Sequence, residues 1–422
     1  MAVRFQGLDE WLTWLDGLHP VKMDLGLERV GEVAGRLEVT RPAPVVVTVA
    51  GTNGKGSTLK TLESLLFAHQ IVVGSTYSPH LHRFNERIAI NGEPVADASI
   101  VEAFATIDEA RGDISLTYFE FGTLAALLIF RRAEAQVALL EVGLGGRLDA
   151  MNLCDADVAV ITSVDLDHQA YLGDDRESIG REKAGILRAG IPLVVGEHDP
   201  PASVLSAART LDCPLYVRGR DFDFVGCQNE PDWHWWSRGP RPSGHIEHLP
   251  RCSVALENAA TALMAFALLD VSMRLDAMRS GVARASLRGR FEVIPGEVPV
   301  VVDVAHNPHG ARHLAKRLGD ESKARTFAVL GMLGDKDPNA VATALDDLVD
   351  TWFLAPVHDR RSMRVEELAR RMASPNRRCS SSVSVTEALS RALEIAQPGD
   401  RVLVCGSFAA VAEGRQALGR GS

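Results

Sequence analysis

The chain is short of cysteine, of basic charge and of long apolar runs, and each shortage excludes a class of protein. Its six cysteines (Cys154, Cys213, Cys227, Cys252, Cys379, Cys405) form no Cys-x-x-Cys pair. That excludes a disulfide-stapled scaffold and fits a reduced compartment. Lys and Arg number 45 against 55 Asp and Glu, for a formal charge of −10, so the cation excess of a general nucleic-acid binder is missing. The longest apolar helical stretch, Phe121–Phe130, stops at Arg131-Arg132, about half of what a bilayer crossing requires. The N-terminal residues Met-Ala-Val-Arg-Phe-Gln-Gly-Leu-Asp-Glu lack the apolar core of an export signal, so the cytoplasm is the expected location.

At 422 residues the chain exceeds what one core serves, so two domains are expected. After helical stretches at Leu8–Leu18 and Leu25–Leu37, β-branched runs alternate with amphipathic segments. Strands are predicted at Val45–Ala50, Val137–Glu141, Val158–Thr162 and Pro192–Val195, with helices near Ser57–His69 and Ile179–Arg188. Thr117-Tyr118-Phe119-Glu120 has the form of a capping box opening a helix through Arg132. A second series follows Arg288-Gly289-Arg290-Phe291, with strands at Val298–Val304, Thr326–Leu330, Thr351–Leu354 and Arg401–Cys405. Such alternation predicts α/β domains built on parallel sheets. Pro295-Gly296-Glu297 separates the two patterns, giving domains at 1–292 and 297–422 with a hinge at 293–296. Residues 221–250, with Trp233, Trp235 and Trp236, break the rhythm and read as a hairpin or surface insertion.

The strongest motif is Ala50-Gly-Thr-Asn53-Gly54-Lys55-Gly56-Ser57-Thr58, directly after the Val45–Val49 run. Glycines between a buried strand and a helix let backbone N–H groups converge on phosphates. Lys55 would reach the terminal phosphates, and Ser57 or Thr58 would hold their Mg²⁺. The pattern departs from the usual phosphate loop because Gly56 stands between the lysine and the hydroxyl. Four further groups sit where ligands meet α/β sheets. Glu141 ends a strand and precedes Val-Gly-Leu-Gly-Gly-Arg147-Leu148-Asp149; Asp165-Leu-Asp167-His168 follows the next strand. The polar run Tyr77–Arg87 is too charged for a plain turn and reads as a substrate loop. Asp303-Val-Ala-His306-Asn307-Pro-His309 closes a strand of the second series. Arg181-Glu182-Lys183, taken alone, is a solvated helix face.

Together these strings resemble the folate branch of the Mur ligase superfamily, the bifunctional dihydrofolate synthase/folylpolyglutamate synthases. The resemblance rests on Gly-Thr-Asn-Gly-Lys-Gly-Ser, Tyr-Ser-Pro-His-Leu, Leu-Glu-Val-Gly-Leu-Gly-Gly-Arg-Leu-Asp, Arg-Glu-Lys-Ala-Gly-Ile and Asp-Val-Ala-His-Asn-Pro-His, collinear from Leu8 to Phe408. It implies a phosphate-loop ATP-binding domain followed by a smaller Rossmann-like α/β domain. By the same resemblance Asn53, Gly54, Lys55 and Gly56 bind ATP, joined by Asn258, Arg290 and Asp303, while Ser57, Ser78, Glu141 and His168 are metal ligands. Asp24-Leu25-Gly26, Thr117–Glu120 and Leu148-Asp149-Ala150 match its pterin pocket. Lys183 matches a lysine carried as a carbamate. An ammonium beside Mg²⁺ would be repelled, whereas a lysine can lose its proton and become that anion. Lys55, Lys183, His168 and His306 are the implied catalytic residues.

The implied reaction makes an acyl phosphate from a substrate carboxylate and ATP, which the amine of L-glutamate then attacks. Positioning and charge neutralisation carry the first half, and domain closure would exclude water. The implied cofactors are ATP and two Mg²⁺, with room for a monovalent cation. The implied partners are dihydropteroate, reduced folates and L-glutamate, with no nucleic acid and no membrane, acting on a monomer. Two alternatives stay open at this point: a monofunctional folylpolyglutamate synthase, and a nucleotide-switch binding protein. The Trp233–Trp236 segment has no role in the resemblance.

Overall fold

The computed structural model describes residues 4–21, 24–226, 230–238, 244–319 and 324–421. They form two compact units, one within Met1–Gly226 and Pro231–Ala285, the other within Ser286–Ser422.

The first unit is built on eight strands: β1 (Val45–Ala50), β2 (Val73–Thr76), β3 (Ile88–Ile90), β4 (Glu93–Pro94), β5 (Val137–Glu141), β6 (Val158–Ile161), β7 (Leu193–Val195) and β8 (Leu215–Val217). Their order is β4-β3-β2-β5-β1-β6-β7-β8. All neighbours from β2 to β8 are parallel, and β3 and β4 add an antiparallel edge. The central strands are apolar on both sides because helices cover both faces. Leu59, Leu62, Leu65 and Leu66 of the helix Lys55–Ala68 pack one face together with Leu263 and Phe266. Trp11, Val30, Phe104 and Phe121 pack the other. The expected capping box is present: Thr117 Oγ1 accepts from Glu120 N at 3.2 Å, and Glu120 Oε2 accepts from Thr117 N at 2.7 Å, opening the helix Tyr118–Arg132.

The expected hairpin or surface insertion is a three-stranded antiparallel sheet of β9 (Phe222–Val225), β10 (Asp232–Ser237) and β11 (Gly244–Pro250), in which β10 and β11 pair as the hairpin while Trp233 and Trp235 face inward. Trp233 and Trp235 are fully buried in the first unit's core. The indole N–H of Trp235 donates to Ala260 O at 3.2 Å, so an otherwise costly buried donor is satisfied. Cys227 and residues 239–243 of that segment lie outside the described residues; none of the five described cysteines is in a disulfide.

The second unit has strands β12 (Glu292–Ile294), β13 (Val300–Val302), β14 (Thr326–Leu330), β15 (Thr351–Leu354), β16 (Cys379–Ser381) and β17 (Arg401–Cys405), in the order β12-β13-β17-β14-β15-β16. Only β12 runs antiparallel to its neighbour, and this corrects the expected hinge. Val293 and Ile294 pair with Val301 and Val300, so Pro295-Gly296-Glu297 belongs to the turn of a hairpin inside the second unit. The division falls earlier, between Ala285 and Ser286. A turn tripeptide marks a hairpin as readily as a linker. No described helix is long and apolar enough to cross a membrane.

Candidate active site

The strand ends of β1, β5 and β6 carry the phosphate loop and its neighbours, where open α/β sheets place ligands. Gly51 (φ +154°) and Gly54 (φ +87°) hold backbone conformations that side chains disfavour. A Cβ on Gly51 would lie 1.9 Å from Thr162 Oγ1, and one on Gly54 would lie 2.4 Å from Asn258 Oδ1. Only glycine fits in either place, and Asn258 stands against the loop although it is about two hundred residues away in sequence. The loop is stapled to the segment after β6. Asn53 N donates to Ser163 Oγ at 3.1 Å, and Asn53 O accepts from Thr162 Oγ1 at 2.6 Å and Ser163 Oγ at 3.1 Å. Thr52 Oγ1 donates to Asp165 O and accepts from Asp165 N, each at 3.0 Å. Lys55 Nζ donates to Gly51 O at 2.9 Å, folded over its own loop. Gly54 caps the following helix with no side-chain acceptor, so the helix N-terminus offers N–H donors to an anion. Ser57 keeps a sliver of exposure, whereas Thr58 is wholly buried with its Oγ1 lacking a hydrogen-bond partner.

Glu141 pairs across from Val49 and is buried. Its N–H donates to Thr76 Oγ1 at 2.8 Å and its Oε2 accepts from Ser78 N at 3.1 Å, so two expected metal ligands, Glu141 and Ser78, are joined. Further along the polar run, Arg87 donates from Nε to His80 Nδ1 at 2.7 Å. Burial, then the Arg87 charge, hold His80 down at about 4. His168 lies beyond β6 in a left-handed conformation (φ +51°) and is exposed.

Lys183 is not on a solvated face: it is 3 % exposed on the helix Arg176–Ala184. Burial, then the nearby Lys55 charge, lower its pKa to about 7, while Asp167 and Glu197 act in the opposite sense. The glycine run after Glu141 seats this helix. Arg147 N donates to Glu182 O at 2.9 Å, and a Cβ on Gly146 would lie 2.8 Å from that same oxygen. Glu197 and the hydroxyls Thr162 and Ser163 escaped sequence reasoning. Burial pushes Glu197 up to about 7, and its Oε1 is buried without a hydrogen-bond partner while Oε2 sits 3.2 Å from Arg176.

The expected pterin residues fall into two groups. Asp24 and Glu120 are bridged by Arg29, at 2.6 Å and 3.0 Å, and His19 Nε2 lies 3.2 Å from Asp24. Leu25 and Gly26 are partly exposed beside Asp24, and a Cβ on Gly26 would meet nothing within 4 Å. Tyr118 and Phe119 are partly exposed after the Thr117 cap, and Phe119 packs against Gly143. Asp149 is buried, accepting from Leu144 N at 2.8 Å and Met151 N at 3.0 Å; burial raises it to about 6. Leu148 and Ala150 flank it.

In the second unit Asp303 accepts from Phe291 N at 2.7 Å and Ala305 N at 2.8 Å. Those bonds fix the segment bearing Arg290, whose guanidinium lies 4.7 Å from the centre of the Phe408 ring. The His306 ring is 6.4 Å from that same phenyl ring, and His309 packs on His313 with ring centres 4.5 Å apart.

A parallel sheet carrying a glycine cradle, followed by a smaller α/β unit, fits the architecture of a Mur-type ligase, and two family models place the chain in that class. Residues 49–210 match the Mur ligase middle domain and residues 289–408 the Mur ligase glutamate ligase domain. The dihydrofolate synthase/folylpolyglutamate synthase of Escherichia coli K12 is 46% identical over 406 residues, covering 96% of this chain and 94% of its own. The solved structure of E. coli FolC in complex with DHPP and ADP superimposes with a TM-score of 0.93 at 44% identity, covering 99% of each chain. A bifunctional enzyme of the same name from Yersinia pestis, complexed with AMPPNP and Mn, gives 0.92 at 45%, covering 99% of this chain and 100% of its own. The chain belongs to the dihydrofolate synthase/folylpolyglutamate synthase family.

Proposed function

We infer that this chain is an ATP-dependent acid–amino-acid ligase joining L-glutamate to dihydropteroate, giving dihydrofolate, and to tetrahydrofolate, giving folylpolyglutamates. The observation that carries the reading is the loop at Gly51 and Gly54, where a Cβ would strike Thr162 or Asn258, leading into a helix whose N-cap is glycine. When bound, Mg²⁺ would neutralise charge on the triphosphate of ATP, which would supply the phosphoryl group that activates a carboxylate. Asn53, Gly54, Lys55, Gly56 and Asn258 would hold the nucleotide, as would Arg290, whose segment Asp303 fixes through Phe291 N. Ser57, Ser78, Glu141 and His168 would hold the metal: the hydroxyl and carboxylate oxygens suit Mg²⁺ or Mn²⁺, with the His168 imidazole a single nitrogen donor beside them.

Lys55 neutralises charge on the phosphates. Lys183, buried with a pKa near 7, presents a neutral amine that CO₂ converts to a carbamate anion. His306 works at the amine of glutamate, which must be neutral to attack. Asp24-Leu25-Gly26, Thr117–Glu120 and Leu148–Ala150 form the pterin pocket, where the Asp24–Arg29–Glu120 bridge supports the dihydropteroate activity. The same reading has the enzyme working as a monomer in the cytoplasm, with a place for a monovalent cation. Its partners are small molecules and not nucleic acid or membrane, which the charge of −10 supports.

ADP release with dihydropteroate and L-glutamate, each omitted in turn, tests the function. Release should need both substrates, and tetrahydrofolate should replace dihydropteroate. Turnover with tetrahydrofolate alone leaves a monofunctional enzyme; release independent of both substrates overturns the ligase.

A further inference from the structure

The small antiparallel sheet has two unlike faces. Trp233, Trp235, Ile246 and Leu249 point into the core, and the alternation of β10 sends Asp232 and His234 to the opposite face. Trp233 pairs with Leu249 but Trp235 pairs with Ile246, so His234 alone stands opposite two residues, Glu247 and His248. This is a β-bulge, a device that re-aims a side chain. At the bulge His248 takes a left-handed conformation (φ +56°), uncommon for any residue other than glycine. Its Nδ1 is hydrogen-bonded to Asp232 Oδ2, and its backbone N–H lies 3.3 Å from His234 Nδ1. The two imidazoles are 5.2 Å apart between centres. One donor atom from each of Asp232, His234 and His248 lies within 4.8 Å of the others, the one such group among the described residues.

We propose that Asp232, His234 and His248 form a site for a divalent transition-metal ion, with Zn²⁺ the best fit, clipping β10 to β11 across the bulge. Two imidazole nitrogens and one carboxylate oxygen are a borderline-soft donor set that favours Zn²⁺ over Mg²⁺, whose preference is for oxygen alone. With three protein ligands and an exposed third residue, water completes the tetrahedron. The site differs in chemistry from the hydroxyl- and carboxylate-rich strand ends of the phosphate loop. Its consequence is stability: a metal bound only by the folded sheet raises the unfolding midpoint by mass action. The bare Asp232–His248 hydrogen bond is exposed to solvent and worth little alone.

Zn²⁺ binding is measured by equilibrium dialysis with Mg²⁺ and a non-hydrolysable ATP analogue in excess, so that the oxygen-donor sites are filled. Wild-type protein should bind one more equivalent of Zn²⁺ than the double variant His234→Gln/His248→Gln. Each single variant, His248→Gln and Asp232→Asn included, should weaken that equivalent at least about tenfold. Zn²⁺ should raise the thermal midpoint of the wild type and leave that of the double variant in place. Circular dichroism without metal checks that the variants are folded; His248→Gln, at an exposed position, serves if the double variant is not. Equal stoichiometry and affinity in wild type and in folded His248→Gln overturns the proposal, as does a midpoint that Zn²⁺ shifts equally in both.

Discussion

The two units each end a buried parallel strand in a loop proposed to meet nucleotide, and the loops are built on opposite plans. After β1, the loop enters its helix through Gly54, an N-cap with no side chain of its own to cap the turn, and its glycines are locked by close approach to Thr162 and Asn258. After β13, Asp303 turns both carboxylate oxygens inward, onto Phe291 N and Ala305 N. The first loop is a receptor for charge. In the second, the acid positions a neighbour: it fixes the backbone at Phe291, next to Arg290, whose guanidinium rests against Phe408. A motif residue at a strand end therefore need not touch the ligand itself.

The largest effects should come from the first loop. Gly54→Ala places a Cβ 2.4 Å from Asn258 Oδ1 in a backbone region that alanine resists. Kinetics should show a loss of at least about a hundredfold in kcat/KM for ATP, with the circular dichroism spectrum unchanged. Lys55→Ala should do the same, since its side chain folds over the loop and does not enter the core. Near wild-type turnover in either would remove the receptor half of the comparison.

Next is Lys183, buried and electrostatically coupled to Lys55. Lys183→Ala should be inactive yet folded, because alanine suits a helix, and a short-chain carboxylic acid should restore part of the rate. Lys183→Arg should stay inactive, since guanidinium cannot form a carbamate; full activity there would sink the carbamate. The depressed pKa also gives a stability test in CO₂-free buffer. Between about 7 and the ordinary 10.5 the unfolded chain holds a proton that the folded chain does not. Stability contributed at this site therefore rises with pH across that window. By chemical denaturation, the unfolding free energy of the wild type minus that of Lys183→Ala should rise with pH across that window.

The second loop should respond more mildly and through its neighbour. Asp303→Asn keeps the shape but sets an amide donor against one of two backbone N–H groups. The unpaired group costs about 1–3 kcal/mol of local stability, and the looser placement of Arg290 should lower kcat/KM for ATP roughly tenfold. Arg290→Lys should lose a similar amount, and the double variant should be little worse than either alone, since both act through one placement. Losses that multiply would show Asp303 acting on the ligand by itself.

How much of this was readable from the chain follows from the distance between partners. The phosphate loop and Glu141 were legible because a strand, its terminal residue and the following glycines are neighbours in sequence. Lys183 read as solvent-facing because its burial is imposed by a glycine run some forty residues earlier. Glu197, Thr162 and Ser163 were missed because each acts on a partner contributed by another strand or helix. The tryptophan segment did carry its signal: Asp232–Ser237 alternates in burial with period two, the mark of a half-buried strand. The prolines around it, Pro231, Pro240, Pro242 and Pro250, obscured it.

The smallest expected effect concerns the staples under Asn53. Its carbonyl accepts from both Thr162 Oγ1 and Ser163 Oγ, and its N–H donates to Ser163 Oγ. Ser163→Ala removes two of these bonds but leaves Thr162 on the carbonyl, and water can reach the partly buried N–H. The net cost of such a change is about 1 kcal/mol, so ATP should bind roughly fivefold more weakly with kcat little altered. Thr162→Val leaves Ser163 on both atoms and should cost less. The double variant strips Asn53 of all three bonds, and redundancy then predicts a loss larger than the sum of the singles. Calorimetric titration of an ATP analogue into the four proteins measures that coupling. Additive losses would mean that the receptor loop holds its shape through its glycines alone, and that the hydroxyls beneath it only fill space.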